Sequence, residues 1–156
     1  MKHTAFIKTT LGMIGISETA GFITELFFAK DVCEISGRQK TPLLEKAEKQ
    51  IKEYLDGTSR AFDLPLAAIG TEFQRAVWEA LGRIPYGETR SYKQVGEMIG
   101  RPDASRAVGM ANNKNPILIL TPCHRVVGSD GKLTGYAAGL EVKEQLLELE
   151  RKHAGR

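Results

Sequence analysis

Cysteine is nearly absent from these 156 residues: Cys33 and Cys123 stand 90 positions apart, and no C-x-x-C pair occurs. That scarcity excludes a disulfide framework. None is required either, because a chain of about 150 residues removes roughly 70% of its unfolded surface from water on folding. Histidine is as scarce, and His3, His124 and His153 lack ligand spacing, so no metal and no other cofactor is expected. No apolar run approaches the roughly 18 residues of a membrane span. The N-terminal "MKHTAFIKTTLGMIG" has no charged segment leading into a long apolar one, so no membrane partner is expected and the chain is read as cytoplasmic. Internal repeats and low-complexity tracts are missing too.

What is present is a globular composition, 42% hydrophobic and 26% charged, enough for one domain or two small ones. The net charge of +3 says little alone, but its distribution is uneven. Residues 1–70 carry nine basic and nine acidic side chains, whereas residues 83–132 carry eight basic (Arg83, Arg90, Lys93, Arg101, Arg106, Lys114, Arg125, Lys132) against four acidic. Such an excess is either a solvated face or the electrostatic footprint of a nucleic acid.

Two parts can be read along the chain, with the division at 69/70. In the first, "HTAFIKTT", "MIGISET" and "GFITELFFA" are short, partly alternating and separated by polar residues or Gly, which predicts an antiparallel meander. A helix follows in "TPLLEKAEKQIKEYLDG", with Thr41 as cap, Pro42 at the first helical position and Gly57 as stop. The segment "SRAFDLPLAAIG" reads as a last strand or a linker.

The second part opens with a capping box, Thr71-x-x-Gln74, ahead of Phe73, Ala76, Val77, Ala80 and Leu81 at helical spacing. Another capping box, Ser91-x-x-Gln94, starts a short helix stopped by Gly100 and Pro102. Asp103 is positioned to cap a third helix, "ASRAVGMANN", with Ala104, Ala107, Val108 and Ala111 on its inner face. Two short helices joined by a tight "GRP" turn have the form of a helix-turn-helix, and a hairpin turning at Ser129-Asp130-Gly131 would add a wing.

The strongest chemical signal is "NPILILTPCHRVVG", where a strand-like apolar run leads directly into a thiol, an imidazole and a guanidinium. Taken singly, Cys123 reads as a small hydrophobe and His124 as a satisfied polar residue. In the last helix Val142, Leu146 and Leu149 form a stripe while Glu141, Glu144 and Glu148 face solvent. Glu150 instead leans onto the stripe, where a buried carboxylate needs a partner.

Together, "PCHRV" with "NP" upstream, "SY" and "SRAVG" before it and "GY" after it resemble the O6-alkylguanine-DNA alkyltransferases over about residues 70–156. The resemblance implies an α/β (α+β) chain: a ribonuclease-H-like antiparallel sheet with helix over 1–69, and a winged-helix domain containing the helix-turn-helix over 70–156. It implies DNA repair by direct, irreversible transfer of an alkyl group from O6-alkylguanine (also O4-alkylthymine) in a flipped-out base of double-stranded DNA. The acceptor would be Cys123, since only a thiolate is a sufficiently soft nucleophile at neutral pH.

The same resemblance makes His124 a base acting through a water, Glu150 its orienting carboxylate, Asn115 the brace of the thiol-bearing turn and Tyr92 the hydrogen-bond donor to the departing guanine. Val126, Tyr136 and the backbone at Ala137 would line the base pocket. Arg106 would fill the gap left by the flipped base, with Ser105, Ala107, Gly109, Tyr92 and Arg125 as further DNA contacts. The protein would act as a monomer, with cooperative loading on DNA an open alternative.

Ala137 replaces a Ser found in some members, so one side-chain contact to the base is missing. Members with zinc in the N-terminal part bind it through Cys and His, of which residues 1–70 offer only His3 and Cys33. Two other readings are a lesion-binding module that transfers nothing, against which Cys123 itself argues, and a cysteine hydrolase, for which no glycine-rich oxyanion signature exists.

Overall fold

The computed structural model describes residues 1–29, 40–136 and 138–154, so Cys33 and Ala137 lie outside the described residues. The chain divides into two compact units, residues 1–68 and 69–156.

In the first unit the meander is β1 (Lys2–Thr9), β2 (Gly12–Thr19) and β3 (Phe22–Phe28), antiparallel in the order β1-β2-β3. The turns cross through backbone that only small residues adopt readily: Gly12 has φ 118° and Gly21 φ 85°. Ala5, Ile7, Ile14, Ile16, Ile23 and Leu26 are buried on the sheet, and α1 (Pro42–Leu55) buries Leu44, Ala47, Ile51 and Tyr54. Thr41 caps α1 as its sequence predicts, accepting from Leu44 N–H at 3.2 Å. The 59–69 segment is a linker with one strand-like contact, a parallel bridge between Leu66 and Ile23.

The second unit starts with α2 (Glu72–Leu81), and both halves of its capping box form between Thr71 and Gln74. Its buried residues are Val77, Trp78, Ala80 and Leu81. Trp78, absent from the expected stripe, donates its indole N–H to Ala111 O at 2.9 Å. The helix-turn-helix is α3 (Tyr92–Met98), again with a complete capping box, and α4 (Ser105–Asn113). Its tightness rests on Gly96, because a Cβ there would stand 2.7 Å from Arg101 O, closer than carbon approaches oxygen.

Three expectations need correction. Asp103 does not cap α4; Ala104 holds that position without a side-chain bond. Ala107 is exposed, and Asn112 joins Val108 and Ala111 on the buried face. Among the described residues the wing shows no second strand: β5 (Val126–Val127) pairs in parallel with β4 (Arg90–Ser91), and the 128–132 turn is closed by Gly128 N–H to Lys132 O at 2.9 Å. α5 (Leu140–Ala154) ends the described chain.

Candidate active site

The run before the thiol is not a strand. Residues 117–121 are a compact turn in which Leu120 N–H bonds Leu118 O at 2.7 Å and Thr121 N–H bonds Ile117 O at 3.0 Å. The turn pivots on Ile119 at φ 69°, a left-handed conformation that a β-branched residue enters only under strain. Packing holds it there, with Ile117, Leu118, Ile119 and Leu120 all buried. Asn115 adds a polar clamp: its Nδ2 donates to Thr121 O (2.9 Å) and Ile117 O (3.3 Å), and its Oδ1 accepts from Ile117 N–H (3.0 Å). Cys123 then opens a single 3-10 turn, Cys123–Arg125.

Cys123 is 1% exposed. Burial pushes its thiol up to about 11, partly countered by a hydrogen bond from the Asn115 side chain and by the charge of Lys143. Its backbone carbonyl accepts from Asn112 Nδ2 at 3.4 Å, tying the nucleophile to the buried face of α4.

Behind the thiol, a buried cluster converges on Glu150 of α5. His124 Nε2 lies 2.8 Å from Oε2, and Arg125 clamps both oxygens, Nε to Oε1 at 2.8 Å and Nη2 to Oε2 at 2.9 Å. Gly87 N–H adds a bond to Oε1 at 3.2 Å. Burial alone would raise the carboxyl, but the hydrogen bonds from His124 and Arg125 outweigh it and hold Glu150 down at about 2. His124, fully buried, is lowered by desolvation despite the carboxylate beside it. A neutral imidazole that donates Nε2–H to a carboxylate carries its lone pair on Nδ1, which makes Nδ1 the basic atom.

This geometry corrects the reading of Arg125. Its guanidinium is committed to Glu150, to Ile84 O at 2.7 Å and to the Tyr86 ring at 5.7 Å, so it braces the carboxylate and is not at the surface. The other seven basic residues of the 83–132 stretch are exposed or half-buried. On α4, Arg106 and Ala107 are exposed together with Met110, Asn113 and the capping Lys114 that follows, while Ser105 and Gly109 are half-buried. Small side chains beside a long cation suit close approach to a nucleic-acid groove.

Lys143 was not legible as a functional residue. It is fully buried on α5, where its ammonium donates to Thr134 O at 2.5 Å and to Gly135 O at 3.4 Å, and burial lowers it to about 8. It thereby fixes the segment that leads into Tyr136. Val126 is fully buried and Tyr136 is 9% exposed; the phenol of Tyr136 is pushed well above 10 by burial and by the nearby Cys123 and Glu150. Tyr92 lies at the start of α3, its hydroxyl 2.6 Å from Thr134 Oγ1. A cleft of about 450 Å³, lined by Gly87, Val127, Leu133, Glu144, Glu150 and Arg151 among others, reaches the Glu150 end of this cluster but does not include the thiol.

The family model described as "6-O-methylguanine DNA methyltransferase, DNA binding domain" matches residues 72–152, which hold every residue of this cluster. The chain belongs to the methylated-DNA–protein-cysteine methyltransferase family. A member from Methanosarcina barkeri is 61% identical over 105 residues, 67% of this chain and 66% of that protein. The constitutive member from Bacillus subtilis is 43% identical over 97% of this chain and 96% of its own length. The crystal structure of Mycobacterium tuberculosis OGT in complex with DNA superposes with a TM-score of 0.88 at 41% identity, covering 97% of this chain and 94% of that one. The family's α+β fold is therefore the fold of this chain, its ribonuclease-H-like sheet and helix followed by the winged-helix unit. Among the described residues no helix is long and apolar enough to cross a membrane.

Proposed function

We propose that the chain repairs O6-alkylguanine in double-stranded DNA by moving the alkyl group, once and irreversibly, from the base oxygen to the Cys123 sulfur. The observation that carries this reading is the buried thiol set on a strained, clamped turn beside the His124–Glu150–Arg125 cluster. Residues 70–156 act as the DNA-binding and transfer domain, residues 1–69 as a separate ribonuclease-H-like domain, and the protein works as a monomer.

The thiol is protonated at neutral pH, so ionisation must accompany the reaction. His124 is neutral and presents Nδ1 as a base, which takes the thiol proton through a water. Glu150, still a carboxylate, stabilises the imidazolium that forms. Arg125 keeps Glu150 ionised without becoming the proton donor, because a guanidinium is always charged. The thiolate attacks the alkyl carbon in line, the carbon–O6 bond breaks, and its electron pair stays on the purine. Tyr92 donates a hydrogen bond to the guanine as that charge grows.

Arg106 enters the stack that the base has left, Ser105, Ala107 and Gly109 let α4 approach the backbone, and Val126 and Tyr136 wall the base. Ala137 is proposed to contribute its backbone. O4-alkylthymine presents the same oxygen–alkyl bond and is the second substrate. Because a thioether offers water no leaving group, the protein is consumed.

Intact-mass measurement after incubation with a duplex containing O6-methylguanine tests the reading. One methyl group is gained per chain and then no more, and Cys123→Ala gains none while still binding DNA. More than one repaired base per chain would overturn the single-use mechanism, and binding without any mass gain would favour a lesion-recognition module.

A further inference from the structure

Tyr92 does not stand alone at the start of α3. Its hydroxyl lies 2.6 Å from Thr134 Oγ1, at the short end of hydroxyl–hydroxyl contacts. Its ring rests against α4, since a Cβ on Gly109 would come within 3.7 Å of Tyr92 Cδ1 and Cε1. Thr134 is in turn fixed by its carbonyl, which accepts from the buried Lys143 ammonium at 2.5 Å. Three elements thus converge on one pair of hydroxyls.

A hydroxyl has one proton to donate and two lone pairs to accept with. Two hydroxyls in contact use one proton between them, and the polarity can be either way. If Tyr92 donates to Thr134, the phenol has nothing left for a guanine. If Thr134 donates to Tyr92, the phenol proton is available and the phenol is a better donor, because successive hydrogen bonds polarise one another.

We propose that Thr134 is a positioning residue for leaving-group stabilisation: its hydroxyl donates to the Tyr92 oxygen, so that the Tyr92 proton is directed at the departing guanine. This rests on the reading of Tyr92 given above. The covalent step is unchanged: the sulfur–carbon bond forms, the carbon–O6 bond breaks, and the electron pair remains on the purine. Tyr92 keeps its proton or shares it with the base. In the transition state the phenol oxygen gains negative charge, and the Thr134 O–H stabilises that charge at one remove. Lys143 holds the Thr134 backbone so that the hydroxyl stays within reach when the base arrives.

The test is single-turnover transfer from O6-methylguanine duplex across DNA concentrations, with Thr134→Val, Thr134→Ser, Tyr92→Phe and the Thr134→Val/Tyr92→Phe pair, all checked for an unchanged melt. Valine keeps the shape of threonine and removes the hydroxyl, so the saturating rate constant should fall about five- to tenfold, the scale of one hydrogen bond, while half-saturation stays put. Serine should restore most of the rate. The double variant should be no slower than Tyr92→Phe alone.

Labelling of Cys123 by iodoacetamide, whose iodide leaving group needs no proton, should not respond to Thr134→Val; a change there would mean that the thiol itself had been disturbed and would sink the proposal. A wild-type rate for Thr134→Val beside a slow Tyr92→Phe overturns the Thr134 role and leaves Tyr92 standing. A full Thr134→Val loss in the Tyr92→Phe background also overturns it. A wild-type rate for Tyr92→Phe rejects both.

Discussion

Both units have an apolar core, but they treat buried polarity differently. In the first, the described buried polar residues are Ser17 and Glu18, both on β2. In the second they are Asn112, Asn115, Thr121, His124, Arg125, Lys143 and Glu150. Six of these seven bond to one another or to backbone carbonyls within reach of Cys123. The first unit is stabilised by area removed from water and by a regular ladder. The second accepts desolvation of charge at one place, and chemistry at that place is what the desolvation serves.

Removing a partner from the cluster should produce the largest difference between the units. Arg125→Met leaves Glu150 buried with fewer compensating donors, at a cost of about 3–5 kcal/mol, a large share of a typical stability of about 5–15 kcal/mol. Trp78, the only tryptophan and a residue of the second unit, reports this directly by fluorescence in a urea titration. In the first unit, Lys46→Met removes an ion pair to Asp63 whose side chains are 49% and 96% exposed, and the change should stay within about 1 kcal/mol. Equal losses would erase the contrast.

Acid should separate the units next. Glu150 titrates near 2 in the fold and near its ordinary value of about 4.3 in the unfolded chain. A depressed carboxylate contributes stability that is fully present above about pH 4.5 and is lost as pH falls toward 2, on the order of 3 kcal/mol in all. The Trp78 unfolding midpoint should therefore fall over that window, and Glu150→Gln, though less stable at pH 7, should flatten the fall. A variant with the same acid slope as the parent would remove Glu150 as its source.

Alkylation comes third. A group added to Cys123 enters a buried site beside Asn115 and Lys143 of α5, and overpacking costs about 1–3 kcal/mol. The melting midpoint after stoichiometric reaction without DNA should drop by several degrees, more for benzyl than for methyl. An unchanged midpoint for both adducts would mean that the pocket already fits its product. The smallest effect belongs to the first unit: Ile16→Val, at a fully buried position on β2, should cost about 0.5–1.5 kcal/mol by urea unfolding followed by circular dichroism and leave transfer untouched.

The regular parts of the fold were legible because their signals are local. Thr41, Thr71 and Ser91 cap the helices they precede, and Gln74 and Gln94 close the boxes. Residues 117–120 look strand-like in sequence because an apolar run reports burial, which is right, and cannot report Ile119 at φ 69°. Asp103 lost its cap because the helix begins two residues later. In the site, Glu150 was legible from its place on the flank of an apolar stripe. Arg125 was not, because a basic residue in a basic stretch looks like a phosphate contact until the carboxylate that takes it is known. Lys143 was invisible for a related reason. Its partners are the carbonyls of Thr134 and Gly135, and every residue has a carbonyl, so no side-chain pattern marks the pair.

A reagent that works once must also survive until it is needed. At a pKa of about 11 the Cys123 thiol is ionised at pH 7 in roughly one molecule in ten thousand, and at 1% exposure that one is screened from collision. Stray electrophiles, disulfides and peroxides all select for exposed thiolate, so they react with this cysteine slowly. Its burial sets a shelf life: the pool of unreacted protein is drawn down by lesions and hardly at all by waiting.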